Sequence, residues 1–127
     1  MIIISGASRG IGRFLLEKYL DQNEDVYGSY MSTIPLQDKY FSSYSKVDVN
    51  DEISVQQWVK SIDLNNQEIT LINCAGTNYN SFAHKADINK WRHVIETNLF
   101  GTFNMIRELL PVMRTNNFGR IINLSSI

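Results

Sequence analysis

The sequence predicts an α/β fold built on a parallel β-sheet. Five short apolar runs alternate with longer segments whose apolar residues recur at helical spacing. A glycine-containing turn follows the first apolar run directly, at Gly6. Parallel neighbours need a crossover of about a dozen residues or more, usually a helix. The alternation therefore predicts βαβ units rather than hairpins.

Each predicted element rests on its pattern of apolar residues. In the first helix Phe14, Leu15 and Tyr19 define the apolar face, and Trp58 and Trp91 lie on later helical stripes where we expect core packing. The polar segment 32–43 has the weakest helical pattern. The predicted strands are 2–5, 26–31, 44–49, 69–73 and 120–125, and the predicted helices are 11–20, 51–62 and 87–113.

Composition and charge exclude several classes of protein. The 127 residues carry 12 basic and 13 acidic side chains, a net charge of −1, which leaves no electrostatic footprint for nucleic acid or an anionic membrane. The apolar runs are too short to span a bilayer. The single Cys74 excludes an internal disulfide and favours a reducing compartment, so we expect a cytoplasmic protein of one domain, residues 1–127. His84 and His93 lack metal-ligand spacing with Cys74, and we predict no metal site.

The first turn is the leading candidate for ligand binding. Gly6, Gly10 and Gly12 form a G-x-x-x-G-x-G pattern that leaves a strand and opens a helix. Glycine lets the backbone approach a pyrophosphate, and the free N–H groups of the helix N-terminus attract its negative charge. A simple strand-to-helix turn, which glycine also favours, is the alternative.

Further candidates follow the third and fourth predicted strands. Asp48, followed by Val49, can accept a hydrogen bond from an adenine amino group, or it can cap the helix that starts at 51, for which Asn50 or Asp51 is also a plausible N-cap. Small residues after Asn73 would let a ligand lie against the backbone. Cys74 in that run is expected to be a small core residue rather than a nucleophile.

Two more candidates come from the long helix and the last strand. Asn98 and Gly101 are poor helix residues, because the Asn amide competes for backbone partners and Gly costs about 1 kcal/mol relative to Ala. Ser125 and Ser126 place hydroxyls at the sheet edge where open α/β folds bind ligands.

As a set, these motifs resemble the short-chain dehydrogenase/reductase family, most closely its 3-oxoacyl-carrier-protein reductase-like members. The resemblance implies a Rossmann-type doubly wound parallel sheet beginning with strand order 3-2-1-4-5. It also implies hydride transfer between a nicotinamide cofactor and a small-molecule carbonyl or alcohol. Among the matching residues, the resemblance assigns a first group to the cofactor phosphates: Ser8, Arg9 and Ile11, beside Gly6, Gly10 and Gly12. It assigns Asp48 and Val49 to adenine, and Asn73, Ala75 and Gly76 to the ribose and nicotinamide. It assigns Asn98 to a relay water and Ser126 to the substrate carbonyl.

The residues after the second strand favour NADP(H) over NAD(H). An acidic residue there would bind a ribose 2′-hydroxyl and repel a 2′-phosphate, but the segment from Tyr30 to Thr33 contains no carboxylate. Arg9 can face a 2′-phosphate, and the hydroxyls of Ser32 and Thr33 can donate to it. Alternatively, Arg9 is a solvated surface residue.

The family's catalytic Tyr, with a Lys four positions later, has no counterpart in this sequence. None of the six tyrosines has Lys at that spacing. A phenol near pKa 10 needs a nearby cation to serve as an acid–base group at neutral pH. We therefore expect a C-terminally incomplete domain, truncated after the fifth strand and inactive alone. An exposed fifth strand would invite pairing with another chain, and the long helix belongs to the family's usual homo-oligomer interface.

Two alternatives to an inactive N-terminal portion stay open. One is a non-catalytic nucleotide-binding or partner-binding module, although such a module would not need Asn98 or Ser126. The other is complementation, in which a second polypeptide supplies the Tyr and Lys.

Overall fold

The computed structural model describes residues 1–126 and contains a five-stranded parallel sheet of order β3-β2-β1-β4-β5. This confirms the predicted α/β class and strand order. The strands are β1 (Ile2–Ser5), β2 (Val26–Tyr30), β3 (Tyr44–Lys46), β4 (Ile69–Asn73) and β5 (Gly119–Asn123). The helices are α1 (Gly10–Asp21), α2 (Glu52–Lys60), α3 (Ile88–Ile95) and α4 (Thr102–Thr115).

The strand register brings the carboxyl ends of the central strands to one level. Ser5 of β1 is paired with Asn73 of β4, and Asn73 is paired in turn with Asn123 of β5. The turns that follow β1 and β4 therefore start side by side, and the residues after β5 start beside them. This edge is where an open α/β sheet binds its ligands.

Helices cover both faces of the sheet, because successive residues of a strand point to opposite sides. Ile3 and Leu71 belong to a core that also contains Val55 of α2 and Leu109 of α4. The residues next to them in sequence, Ile4 and Ile72, belong to a second core on the α1 side, together with Ala7, Leu16 and Val26. The strands are apolar on both faces for this reason.

The long helix predicted over residues 87–113 is interrupted, which corrects that prediction. A π-helical segment, Glu96–Gly101, separates α3 from α4 and contains both Asn98 and Gly101. Such a segment shifts hydrogen bonding from i→i+4 to i→i+5 and often marks a functional site. Apolar spacing alone cannot reveal it, because the apolar residues stay close to helical register through one widened turn.

Two predictions about apolar faces are also wrong. Trp58 is buried as predicted, but Trp91 is 52% exposed. On α1, Phe14 is 61% exposed, whereas Gly12 and Leu16 are buried. The reason is that α1 packs on the sheet through Leu16, with Leu15 and Tyr19 partly buried against the same core, so that Phe14 points away from it. The outer side of α3 has no neighbour within residues 1–126.

The end of the third strand and the segment before that strand differ from the prediction. β3 ends at Lys46, before Val49, because the chain turns away from β2 after the Val47 N–H donates to the Tyr30 carbonyl. The polar segment 32–43 holds only a 3₁₀ turn, Phe41–Ser43.

No helix within residues 1–126 combines the length and hydrophobicity needed to cross a bilayer.

Candidate active site

A cleft of about 780 Å³ lies at the carboxyl edge of the sheet, between the start of α1 and the π-helical segment. It brings together nearly all of the predicted site residues, from the glycine turn, the loops after the strands, and the long helix. Those that line it are Gly6, Ser8, Arg9, Gly10, Ile11, Gly12, Ser32, Asp48, Val49, Ala75, Gly76, Asn98 and Ser126.

The glycines of the first turn are required for two different reasons. Gly6 has φ of +68°, and a Cβ there would lie 2.5 Å from the Cα of Ala75, so this glycine lets the turns after β1 and β4 touch. Gly10 has φ of +55°, yet no atom lies within 4 Å of its Cβ position. Gly10 therefore combines a left-handed backbone with open space on the cleft side, which suits close approach of a ligand.

The N-terminus of α1 has the geometry that is typical of anion-binding helix termini. The residue before the helix, Arg9, is extended, and the first intrahelical bond runs from the Arg13 N–H to the Arg9 carbonyl at 3.2 Å. The N–H groups of Gly10, Ile11 and Gly12 therefore have no partner within the helix and carry its positive dipole end. Within residues 1–126 the exposed Arg9 guanidinium forms no ion pair.

Buried hydroxyls hold the turns after β1 and β4 in place. The Gly6 N–H donates to Ser29 Oγ at 3.2 Å, and the Ala75 N–H donates to Ser5 Oγ at 3.3 Å. Asn73, predicted to face the cofactor, does not line the cleft. Its side chain accepts from Ser5 Oγ at 3.2 Å and donates to Asn123 Oδ1 at 2.9 Å. A cofactor contact for Asn73 stays a prediction.

The two possible roles of Asp48 are separated by the structure. The cap of α2 is Asp51, whose carboxylate accepts from the Ile53 N–H at 2.9 Å, so the alternative of Asp48 as a helix cap is wrong. Asp48 instead accepts from the Asn50 N–H at 2.9 Å, and its own N–H donates to Ser54 Oγ at 3.0 Å. These bonds hold Asp48 and Val49 in a turn on the cleft wall.

Asn98 connects the long helix to the loop after β4. Its Oδ1 accepts from the Thr77 N–H at 2.8 Å, and its Nδ2 donates to the Thr77 carbonyl at 2.9 Å. The Thr102 hydroxyl donates to the Asn98 carbonyl at 3.0 Å. The side chain that weakens the helix locally is therefore fully used in a tertiary contact, which explains an Asn at this position.

Several residues that line the cleft belong to none of the sequence motifs. Thr97 and His93 line the cleft from successive turns of the long helix. Asn50 donates to Thr97 Oγ1 at 3.1 Å. The sequence signal for Asn50 and Thr97 is only their position beside Val49 and Asn98, because a contact between distant segments leaves no local pattern.

Cys74 has the properties of a packing residue. Burial raises the pKa of its thiol to about 11, so the neutral thiol predominates near pH 7 and nucleophilic attack is disfavoured. No cluster of three or more metal-ligating side chains occurs within residues 1–126.

The donor set of the cleft fits a ligand that contains phosphate groups. The residues at the α1 N-terminus, Ser32, Thr33 and the Asp48 turn all line the same cleft. These groups suit an extended anion linked to a base more than a compact apolar ligand.

Comparison with known proteins agrees with this geometry. The model of the short chain dehydrogenase family matches residues 1–127. This chain belongs to the short-chain dehydrogenase family. The resemblance inferred from the motifs is thereby confirmed, and so is the Rossmann-type sheet. Members of this family are oxidoreductases that bind a nicotinamide cofactor.

The curated relatives are about twice as long as this chain. A 3-ketodihydrosphingosine reductase from Bacteroides thetaiotaomicron is 35% identical over 128 residues, which cover 100% of this chain and 47% of the relative. An acetoacetyl-CoA reductase from Rhizobium meliloti is 36% identical, with 98% of this chain and 54% of the relative covered. This chain therefore spans about half the length of these relatives.

Solved structures share the fold over a similar portion. Serine dehydrogenase from Escherichia coli matches with a TM-score of 0.86 and 27% identity, covering 98% of this chain and 61% of that chain. The closed form of a serine dehydrogenase complexed with NADP⁺ matches with a TM-score of 0.87 and 28% identity, covering 99% and 54%.

Proposed function

We propose that this short-chain dehydrogenase chain forms the cofactor-binding half of an NADP(H)-dependent oxidoreductase. Hydride would pass between the nicotinamide and a small-molecule carbonyl or alcohol. The observation that carries the proposal is the convergence of the α1 N-terminus, the Asp48 turn, Asn98 and Ser126 on one cleft. The residues that the family resemblance assigns to the phosphates line this cleft together with Asn98 and Ser126, which it assigns to a relay water and to the substrate carbonyl.

The charge distribution at the α1 end supports NADP(H) rather than NAD(H). Arg9, Ser32 and Thr33 are exposed, and all three line the cleft. A 2′-phosphate placed there would gain charge-assisted hydrogen bonds from the guanidinium. Tyr30 and Met31, which come before the two hydroxyls, contribute no carboxylate to repel it.

Binding of adenosine fragments tests this preference without requiring turnover. We expect 2′,5′-ADP to bind at least tenfold tighter than 5′-AMP, as one charge-assisted contact of about 1.5–3 kcal/mol allows. Arg9→Ala should remove most of that preference. Arg114→Ala, which removes an exposed arginine of α4 outside the cleft, is the matched control and should preserve it. Equal affinity of the unaltered chain for both fragments would exclude the NADP(H) assignment.

We also propose that the 127-residue chain is catalytically inactive by itself. Its sequence supplies Asn98 and Ser126 but no Tyr with Lys four positions later, so the pair that the family uses to exchange a proton with the substrate oxygen is missing. The test is an assay of NADPH oxidation with a panel of carbonyl compounds, using a chain of verified mass. Robust carbonyl reduction by that chain would contradict this proposal.

The fifth strand and the outer face of the long helix are proposed contact surfaces for another chain. Every residue of β5 is exposed, including Ile121 and Ile122, and β5 forms the sheet edge. On the helix, Leu99 and Phe103 are 61% and 54% exposed. Sedimentation velocity over a concentration series should show self-association. Ile121→Lys, which blunts a strand edge, should reduce it, and a concentration-independent monomer would contradict the proposal.

A further inference from the structure

We propose that Asn104 and Asn50 are positioning residues that hold the Val49 turn against the long helix and thereby shape the adenosine end of the cleft. This inference rests on the proposed function, because it assigns a purpose to contacts beside the proposed cofactor site. Neither residue was identified by the motif analysis as a binding group.

The contact made by Asn104 is buried and specific. Its side chain is only 7% exposed, and Nδ2 donates to the Val49 carbonyl at 2.9 Å. Val49 is itself buried and precedes Asn50 in the turn that Asp48 closes. Loss of the Asn104 donor would leave the Val49 carbonyl unpaired in a buried position, which is unfavourable. The turn would then shift to reach water.

Two further contacts join the same turn to the same helix. Asn50 Nδ2 donates to Thr97 Oγ1 at 3.1 Å. Gly101 packs directly on Val49, since a Cβ at Gly101 would lie 2.6 Å from Val49 Cγ2. Thr97, Gly101 and Asn104 are spaced i, i+4 and i+7, so they form one face of the π-helical segment and the first turn of α4.

Asn98, the residue after Thr97, contacts a different loop, the one that follows β4. Its amide makes the two bonds to Thr77 described above, whereas Thr97 contacts Asn50. One short helical segment therefore connects the loop after β4 to the turn after β3. Both segments line the cleft, so this helical segment fixes how far apart these two parts of the cleft wall lie.

Asn116 provides the control that separates a positioning role of Asn104 from a general contribution to stability. Asn116, just after α4, donates to the Leu64 carbonyl at 2.7 Å and to the Gln67 carbonyl at 3.0 Å. This is the same kind of amide-to-carbonyl bond between the long helix and a loop. However, the loop that Asn116 contacts follows α2 rather than β3, and neither Leu64 nor Gln67 lines the cleft.

The experiment compares Asn104→Leu with Asn116→Leu in the full chain. Amide hydrogen exchange without ligand should accelerate at Asn50 and Asp51 in Asn104→Leu, and at neither residue in Asn116→Leu. The Kd for 2′,5′-ADP should rise about fivefold to tenfold in Asn104→Leu, as loss of one buried hydrogen bond allows, and less than twofold in Asn116→Leu. Thr97→Val, a nearly isosteric change that removes the contact with Asn50, is the second variant, to be used if Asn104→Leu does not fold. It should accelerate exchange at Asn50 and Asp51 relative to the unaltered chain.

The outcomes are distinct. Accelerated exchange at the turn, with weaker 2′,5′-ADP binding only in Asn104→Leu, supports the inference. Unchanged exchange at Asn50 and Asp51 overturns it, as does an equal rise in Kd in both asparagine variants. An unaltered chain that binds neither 2′,5′-ADP nor NADPH overturns the proposed function first, and with it any role in shaping a cofactor site.

Discussion

The side-chain amide of Asn98 forms a two-way hydrogen bond with the backbone of Thr77, at 2.8 Å and 2.9 Å. This contact joins residues 21 positions apart and holds the loop after β4 against the π-helical segment. In a regular helix an Asn side chain is destabilising because its amide competes for backbone partners. Here both its donor and its acceptor bond to another segment of the chain.

Asn98→Ala should destabilise the chain and loosen the Thr77 loop. Loss of two partly exposed hydrogen bonds predicts a decrease of about 1–2 kcal/mol in the free energy of unfolding. Urea denaturation measures this decrease. Asn89→Ala, on the exposed surface of α3, should change stability by less than about 0.5 kcal/mol. Similar stabilities for the two variants would mean that the Thr77 contact contributes little.

Gly101→Ala should lower the stability of the chain, although the same change in an ordinary helix raises it. In an ordinary helix this change stabilises by about 1 kcal/mol, but the new methyl group would overlap Val49 Cγ2. We expect net destabilisation of about 1–3 kcal/mol because the buried site cannot expand. Thermal unfolding distinguishes the two signs. At Gly76 a Cβ would have no neighbour closer than 3.5 Å, so Gly76→Ala should be well tolerated in the same measurement.

Asp51→Ala should destabilise α2 by about 1 kcal/mol, because it removes the cap that accepts from the Ile53 N–H. Chemical denaturation checks this value, and Asp51→Ser should retain most of the stability. Asp63→Ala is the control. Asp63 makes a similar bond to the Asn65 N–H at 3.2 Å, but outside any helix. Equal losses in Asp51→Ala and Asp63→Ala would contradict a capping role.

The pH dependence of stability should carry a contribution from Cys74. Burial raises the pKa of its thiol from an ordinary value near 9 to about 11. Between these values the unfolded chain releases the proton and the folded chain keeps it, so stability falls as pH rises. Cys74→Ala should lose less stability than the unaltered chain between pH 9 and pH 11. Parallel stability curves for the two proteins would exclude this contribution.

The fold and much of the candidate site were accessible from sequence because their signals are local. Apolar runs separated by helical stripes predict βαβ units, and a glycine turn between a strand and a helix predicts the anion site at Gly10. The strand order followed from the family resemblance. These features depend on near neighbours in the chain, so the pattern of residues carries them directly.

The remaining features of the fold and the site depend on contacts between segments that are distant in sequence. Whether Asp48 or Asp51 caps α2 depends on how β3 ends, since both residues have the same side chain and lie near the same helix. The exposure of Trp91 depends on which elements face α3, not on its helical stripe. The amides of Asn50 and Asn104 find partners 47 and 55 positions away. Periodicity records which residues share a face, but only the packed structure determines what that face meets.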